Sequence, residues 1–443
     1  MSTMEGSLGS STWIFAAVTL ISTFASTALL NLATRYFGNL KVYLLHASQA
    51  DEEVVTGGGK KTRKNKERDG PPFPSLAAVK LSRAAAYEIK HFSTFDQSVT
   101  LVFGIAANCV ATIALGSLVS RNTMLPGMCA VSFLLCVYNT LNTVFLDQTT
   151  SKYEKYGLIF LFFVGVAGTY ALLFFRAEWV FPEGGEAIPR SVAATLRAFD
   201  EVLKKKKVFE GVDVTGVHIP RHLTLTAVSV LAGYVSACVF SSALRITQGY
   251  MSVTNAGNQF QWGAKYLRRP LWVQTYWHVT MVCPLVLSLF GPAGYPGLVF
   301  LVILCHLGII RSMLQAFLDK GLIEWYETKH STENAATLGA LSKYLKSALQ
   351  RRLYVLGKVS VQGVTLPLLL MSLAPLNLGQ SLGQWAMVSP SHQSGRGVPR
   401  RGGEDQDPLI WQVVASYLLW WATCNWSVIF VLSLYLKRAG VFR

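Results

Sequence analysis

Apolar residues gather in runs near twenty residues long, separated by shorter polar stretches. A helix needs ~20 apolar residues to cross a hydrocarbon core of ~30 Å. The runs therefore predict spans near 12–34, 97–119, 126–146, 156–175, 224–248, 271–290, 297–318, 353–376 and 409–436. Asn139 and Asn142 weaken the third, and Pro367 and Pro375 interrupt the eighth. The expected count is about nine, with eight to ten open, because neighbouring helices can satisfy carbonyls that a proline frees. Two polar connections carry a helical period instead. Residues 191–212 align Val192, Leu196, Phe199, Val202 and Leu203, and residues 331–354 align Leu338, Leu341, Leu345, Leu349 and Leu353 behind Ser331 or Thr332 as N-cap. Both read as amphipathic helices at the membrane surface or against the bundle. The expected fold is all-α: one polytopic transmembrane helical bundle over residues 1–443, plus those two helices.

Composition fixes the solvent. With 51% hydrophobic and 14% charged residues and a mean hydropathy of +0.36, the chain is not an ordinary soluble domain. All seven cysteines lie in apolar runs and no CxxC occurs, so no disulfide framework, metal or other cofactor is expected. Arg35 and Lys41 follow the first apolar run and no Lys or Arg precedes it, which predicts a retained anchor with its N-terminus outside.

Lys and Arg number 25 in segments 35–96, 147–155, 249–270, 319–352 and 437–443, against 12 in the alternate connections. The positive-inside rule then places the first set, with the C-terminus, in the cytoplasm. Lys204 to Lys207, in the connection 176–223, dissent. The net charge of +16 is mostly this signal, and KKTRKNKER at 60–68 reads as a cytoplasmic loop facing anionic lipid rather than nucleic acid. Expected partners are the bilayer, anionic phospholipids and other membrane proteins. Segments 35–96 and 377–408 read as largely flexible, and 319–352 as a cytoplasmic amphipathic helix.

No phosphate loop, zincin helix or nucleophile elbow occurs, so no enzymatic activity is expected. His218 and His222 flank Pro220 without a third ligand, and the sequon at Asn425 lies inside the last run. Polar residues within the runs carry more information. Asn139 and Asn142 share a face with Asp147 beyond them, and His278 and His306 sit in the sixth and seventh runs. Asn139, Asn142, His278 and His306 could line a cavity or hold helices together.

The segment LGIIRSMLQAFLDK, 307–320, places an arginine in an apolar run. Its uninterrupted part, 297–310, spans only ~21 Å, so the helix continues past Arg311 and sets it in the inner leaflet. Gly308, Arg311, Ser312, Gln315 and Asp319 form a stripe expected to face the bundle, opposite Met313 and Phe317. Arg245 with Gln248, and Asp147, approach the same depth. Two readings stand: a buried ion-pair network that joins Asp147 to an arginine, or convergent arginines that hold an anion or phospholipid headgroup or flank a permeation path.

The blocks RSMLQAFL (311–318), ALRITQ (243–248) and YLLWWA (417–422), with LKVYLLHASQADEE and GKKTRKNKERDG in the first connection, resemble the transmembrane protein 161 family of eukaryotic multi-pass proteins. On that resemblance Arg311, Ser312, Leu314, Gln315 and Ala316 match one block, and Leu244, Arg245 and Gln248 match another. Trp420, Trp421 and Ala422 match a third. The lysine run at 204–207 has no counterpart, and 377–408 is short for the family. The family is associated with ion currents and cilia-linked signalling rather than with a defined reaction. The resemblance thus implies a non-enzymatic scaffold or regulator of ion transport. The alternatives are a channel or transporter lined by Asn139, Asn142, Arg245 and Arg311, and an anionic-lipid-binding protein.

Overall fold

A computed structural model describes residues 14, 16–26, 31–45, 76–115, 124–181, 187–206, 219–259, 269–289, 296–331, 338–388 and 410–438. After a helical stretch at 16–24, the chain forms α1 (Leu32–Phe37), β1 (Lys41–Leu45), β2 (Leu76–Lys80), α2 (Arg83–Tyr87) and α3 (Phe92–Leu115). Helix α4 (Met124–Leu141) ends in a π-helical turn, Asn142–Leu146. There follow α5 (Lys152–Phe175), α6 (Ala187–Lys206), α7 (Arg221–Gln259), α8 (Leu271–Leu289), α9 (Pro296–Ser331), α10 (Leu338–Val388) and α11 (Ile410–Arg438).

Among the described residues seven helices are long and apolar enough to cross a membrane, within α3, α4 with its π turn, α5, α7, α9, α10 and α11. They fit an integral membrane protein. Helix α8 occupies the sixth predicted position, but Gln274, His278 and Pro284 dilute its apolar run. Exposed aromatic rings mark two levels. Tyr153 and Tyr156 at the start of α5, Trp272 at the start of α8 and Tyr435 near the end of α11 lie at one end; Trp179 after α5 and Trp411 at the start of α11 lie at the other. Amphipathic rings settle at membrane–water interfaces, and the levels bracket the apolar spans accordingly.

Helix α10 is the axis. Of its most apolar stretch 94% is buried, against 22% for α5 on the perimeter. Lipid tails are as apolar as leucine, so helices associate through close packing and polar contacts rather than through exclusion of water. Glycines permit that packing at chosen points. A Cβ on Gly165 of α5 would meet Gly233 Cα of α7 at 3.0 Å, and one on Gly363 of α10 would meet Met313 Cε of α9 at 2.4 Å. The tightest approach is Gly357 of α10, where a Cβ would lie 1.8 Å from the Lys90 carbonyl oxygen. The turn there is held by His91 at φ 68°, in the left-handed region that a residue with a Cβ rarely adopts.

Several expectations are corrected. The fold is not purely helical: β1 and β2 pair antiparallel inside the 35–96 connection, with Lys41 opposite Lys80 and Leu45 opposite Leu76. The alternation in KVYLL supports a strand, and Tyr43 and Leu76 pack with Leu322, Ile323 and Trp325 of α9. Segment 331–354 is not a separate surface helix. Helix α10 runs unbroken from Leu338, past Pro367 and Pro375, to Val388, so part of the 377–408 loop is helical as well. Leu345 and Leu349 are buried, Leu349 against Gly321 of α9, which itself extends to Ser331 rather than ending near 318. The basic run at 60–68 and residues 389–409 lie outside the described residues.

Two glycine substitutions separate close approach from helix propensity. Gly357→Ala should lower stability by ~1–3 kcal/mol or more through overpacking against Lys90. Gly127→Ala, on an exposed position of α4 with nothing within 4 Å, should leave stability unchanged or raise it by ~0.5–1 kcal/mol. Thermal unfolding of the two variants in nanodiscs checks the contrast.

Candidate functional site

The site grows from the start of α5. Ser151 caps the helix, its Oγ accepting the Glu154 N–H at 3.2 Å. The Glu154 carboxylate turns toward α7 and accepts from Arg245 Nη2 at 2.9 and 2.7 Å. Arg245 Nε donates to Gln362 Oε1 of α10 at 2.7 Å, and its Nη1 to Gln248 Oε1 at 3.2 Å. Gln362 Nε2 donates back to Glu154 at 3.3 Å, which closes a ring across three helices.

A second cluster lies one turn away. Beyond the π turn, Asp147 accepts from the Thr149 N–H at 3.1 Å and from its hydroxyl at 2.9 Å. Lys358 Nζ lies 3.8 Å from Asp147 Oδ2 and donates to Thr150 Oγ1; Lys90 Nζ lies 3.8 Å from Oδ1. Thr150 in turn donates to the Thr143 carbonyl at 3.1 Å, and Lys155 Nζ to the Phe145 carbonyl at 2.9 Å. Lys358 is 1% exposed. Lys358 and Gln362 are four residues apart, so one face of the central helix presents the cation for Asp147 and the amide for the Arg245–Glu154 pair.

The buried part is balanced, with Asp147 and Glu154 against Arg245 and Lys358, while Lys90 reaches in from the rim with 40% of its side chain exposed. Such balance is what low-dielectric surroundings demand, since an isolated buried charge is far costlier than a paired one. Burial alone would raise the Asp147 carboxyl. The Thr149 N–H and hydroxyl, with Lys358 and Lys90, outweigh it and hold the group below the usual carboxylate range.

The predicted residues divide between this network and other places. Asp147 pairs with lysines, not with an arginine; the acid for Arg245 is Glu154, and Gln248 accepts from Arg245 itself. Arg311 does not converge with Arg245. Met313, on the opposite face of α9, fills the space between Gly249 and Gly363, which turns Arg311 outward to an exposed position. Its Nη2 donates to the Gly38 carbonyl at 3.3 Å. The stripe expected to face the bundle interior instead faces α8 and the hairpin. Ser312 accepts from Trp277 Nε1 at 3.0 Å, Gln315 holds the Lys41 N–H at 2.8 Å, and Asp319 accepts from Tyr43, Gln315 and Arg269.

Asn139 Nδ2 donates to Ser98 Oγ at 3.0 Å, joining α4 to α3, and Asn142 is half-buried in the π turn. His306 is buried, with Nδ1 donating to the Val302 carbonyl at 2.8 Å and the ring edge-on to Trp426. His278 is exposed, lies 3.0 Å from the Tyr250 hydroxyl, and lines a cavity of about 360 Å³ with Val279, Cys283 and Leu301. A second cavity of about 230 Å³ lies between α4, α5 and α7. Both are walled almost wholly by apolar side chains, neither contains Asn139, Asn142 or His306, and neither reaches the charge network. Trp420 and Trp421 donate to the Ser288 carbonyl and to Ser236 Oγ, and Tyr417 to Thr169, as packed helix contacts. His218 lies outside the described residues, and among those described no three His, Cys, Asp or Glu side chains converge.

Sequence reasoning missed Glu154, Lys358, Gln362 and Lys90. Two had a signal: Lys358 is a charge within the apolar run 353–376, as Arg311 is within its own, and Ser151–Glu154 has the spacing of a capping box.

Fold and site together describe a helical bundle that fits an integral membrane protein, organised around a buried, charge-bearing central helix. Comparison with protein-family models, with curated proteins and with solved structures yields no match.

Removing one member of a buried pair leaves the other uncompensated. Arg245→Met should destabilise by ~3–5 kcal/mol, and the double variant Arg245→Met with Glu154→Leu should recover most of that, as read by unfolding in nanodiscs. Asp147 gives a pH test. A carboxyl depressed in the folded state stabilises fully above its unfolded pKa, so its contribution is complete above about pH 5 and lost as pH falls through the folded value. Asp147→Asn should therefore be less stable than the parent at neutral pH, with the gap closing on acidification.

Proposed function

We propose that this protein is a non-enzymatic multi-pass membrane protein, a scaffold or regulator of ion transport, with its N-terminus outside and its C-terminus in the cytoplasm. The observation that carries this reading is the self-sufficiency of the charge network. Glu154, Arg245, Asp147 and Lys358 satisfy one another around a closely packed axis, and neither apolar cavity opens onto them. A permeation path would instead present such groups to water or to a transported ion.

The charge distribution supports the orientation. The ion pairs Lys90–Asp147, Arg245–Glu154, Arg269–Asp319 and Arg352–Glu324 gather at one end of the bundle, the end to which the lysine- and arginine-rich connections attach. The resemblance of the Arg245, Arg311 and Trp420–Trp421 blocks to transmembrane protein 161 proteins points to the same regulatory role, acting through contact with other membrane proteins.

Reconstitution tests the reading. Purified protein in liposomes should give potassium and proton flux no greater than protein-free vesicles. Flux that depends on the protein and disappears in Lys358→Met would overturn it in favour of a transporter built on the network.

A further inference from the structure

The hairpin places two lysines face to face. Lys41 and Lys80 are cross-strand partners, both exposed, although like charges directly opposite one another destabilise a strand pair. Asp319 feels the Lys41 charge, but its carboxylate makes its ion pair with Arg269 and its hydrogen bonds with Tyr43 and Gln315, so no salt bridge to either lysine forms among the described residues. Strand alternation puts Lys41 and Lys80 on the same side as Tyr43, and Tyr43 fixes that side toward α9 by donating to Asp319 at 3.0 Å. Gln315 clamps the Lys41 backbone from both directions, accepting from its N–H at 2.8 Å and donating to its carbonyl at 3.3 Å. Among the described residues Arg311, one turn earlier on α9, uses one of its N–H donors, on the Gly38 carbonyl.

The depth of this cluster follows from the backbone. A two-stranded hairpin leaves unpaired N–H and C=O groups on its outer edges, which hydrocarbon cannot satisfy. The hairpin must stand at the headgroup layer or beyond it, so Gln315 marks the edge of the hydrocarbon. Arg311 lies ~6 Å beneath Gln315 along the helix axis. Counting from Gly297 gives the same level, since ~20 residues cover ~30 Å. Leu304, two turns below Arg311 on the same side of α9, is exposed and offers an apolar track toward the bilayer centre.

We propose that Lys41, Lys80 and Arg311 form a binding site for the phosphoryl group of an anionic phospholipid, whose acyl chain runs along α9 past Leu304. The lipid's negative charge relieves the Lys41–Lys80 repulsion, and the Arg311 fork supplies directional donors from below. The proposal rests on the membrane placement of α9 and not on a scaffolding role, so it stands or falls independently of any flux measurement.

The test compares full-length protein in nanodiscs of phosphatidylcholine alone and of phosphatidylcholine with phosphatidylserine. Phosphatidylserine should raise the unfolding temperature of the parent. The Lys41→Gln/Lys80→Gln and Arg311→Gln variants should lose that gain, with phosphatidylserine retention in native mass spectrometry falling about fivefold for each charge removed. In pure phosphatidylcholine Lys41→Gln/Lys80→Gln should be at least as stable as the parent, which separates a lost ligand from a damaged fold. Lys152→Gln, an exposed cation at the same end, should keep the full effect. An equal loss in Lys152→Gln, an undiminished gain in the site variants, or equal stabilisation of the parent by inorganic phosphate would overturn the proposal.

Discussion

The interaction on which the bundle depends is the pairing of Lys358 and Gln362 with acids and an arginine that come from other helices. An ammonium group 1% exposed on the innermost helix is tolerable only where its countercharge is fixed beside it. That requirement sets the register of α10 against the turn at Lys90, the end of the π turn at Asp147 and the start of α5 at Glu154. Apolar packing between membrane helices is permissive of sliding, because one leucine contact resembles another. A lysine and a glutamine four residues apart, each bound to a charged partner on another element, are not, and they turn a greasy contact surface into one alignment.

The hairpin does for the perimeter what the network does for the axis. Gln315 and Asp319 project from α9 where that helix leaves the apolar layer, and a short sheet supplies their partners. Polar side chains on a membrane helix are thus handled in two ways. Those facing inward are matched by other helices, and those facing outward near the boundary are capped by backbone from the first connection. Arg311 belongs to the second group, which explains how an arginine persists in that run without an internal acid.

Much of the architecture was legible in the runs of apolar residues. Helices lie at the second to ninth predicted span positions and over part of the first, and α6 overlaps the amphipathic segment read at 191–212. The boundaries of α9 and α10 were not legible, because an amphipathic stretch joined to an apolar one gives the same local pattern whether or not a turn separates them. The hairpin was missed for a related reason: five-residue strands beside glycine-rich and charged sequence carry little periodic signal. At the site, hydropathy located Asp147 and Arg245 but not their partners. Which acid meets which base depends on the rotation of each helix, and a stripe of polar residues fixes a face without saying what that face meets. Arg311 shows the point: its stripe was correctly drawn, and it looks outward.

Chain order gives the position of Gly357 and Lys358 a further meaning. Asp147, Glu154 and Arg245 are all synthesised before α10, the penultimate helix, which brings Lys358 and Gln362. Throughout insertion of α3 to α9 the future centre of the bundle is therefore an unfilled groove with Asp147 short of its buried cation. In the finished bundle α10 fills that groove, its Gly357 seated against the Lys90 carbonyl. A chain halted before residue 338 carries every perimeter helix down to α9 yet lacks the element that makes them one molecule.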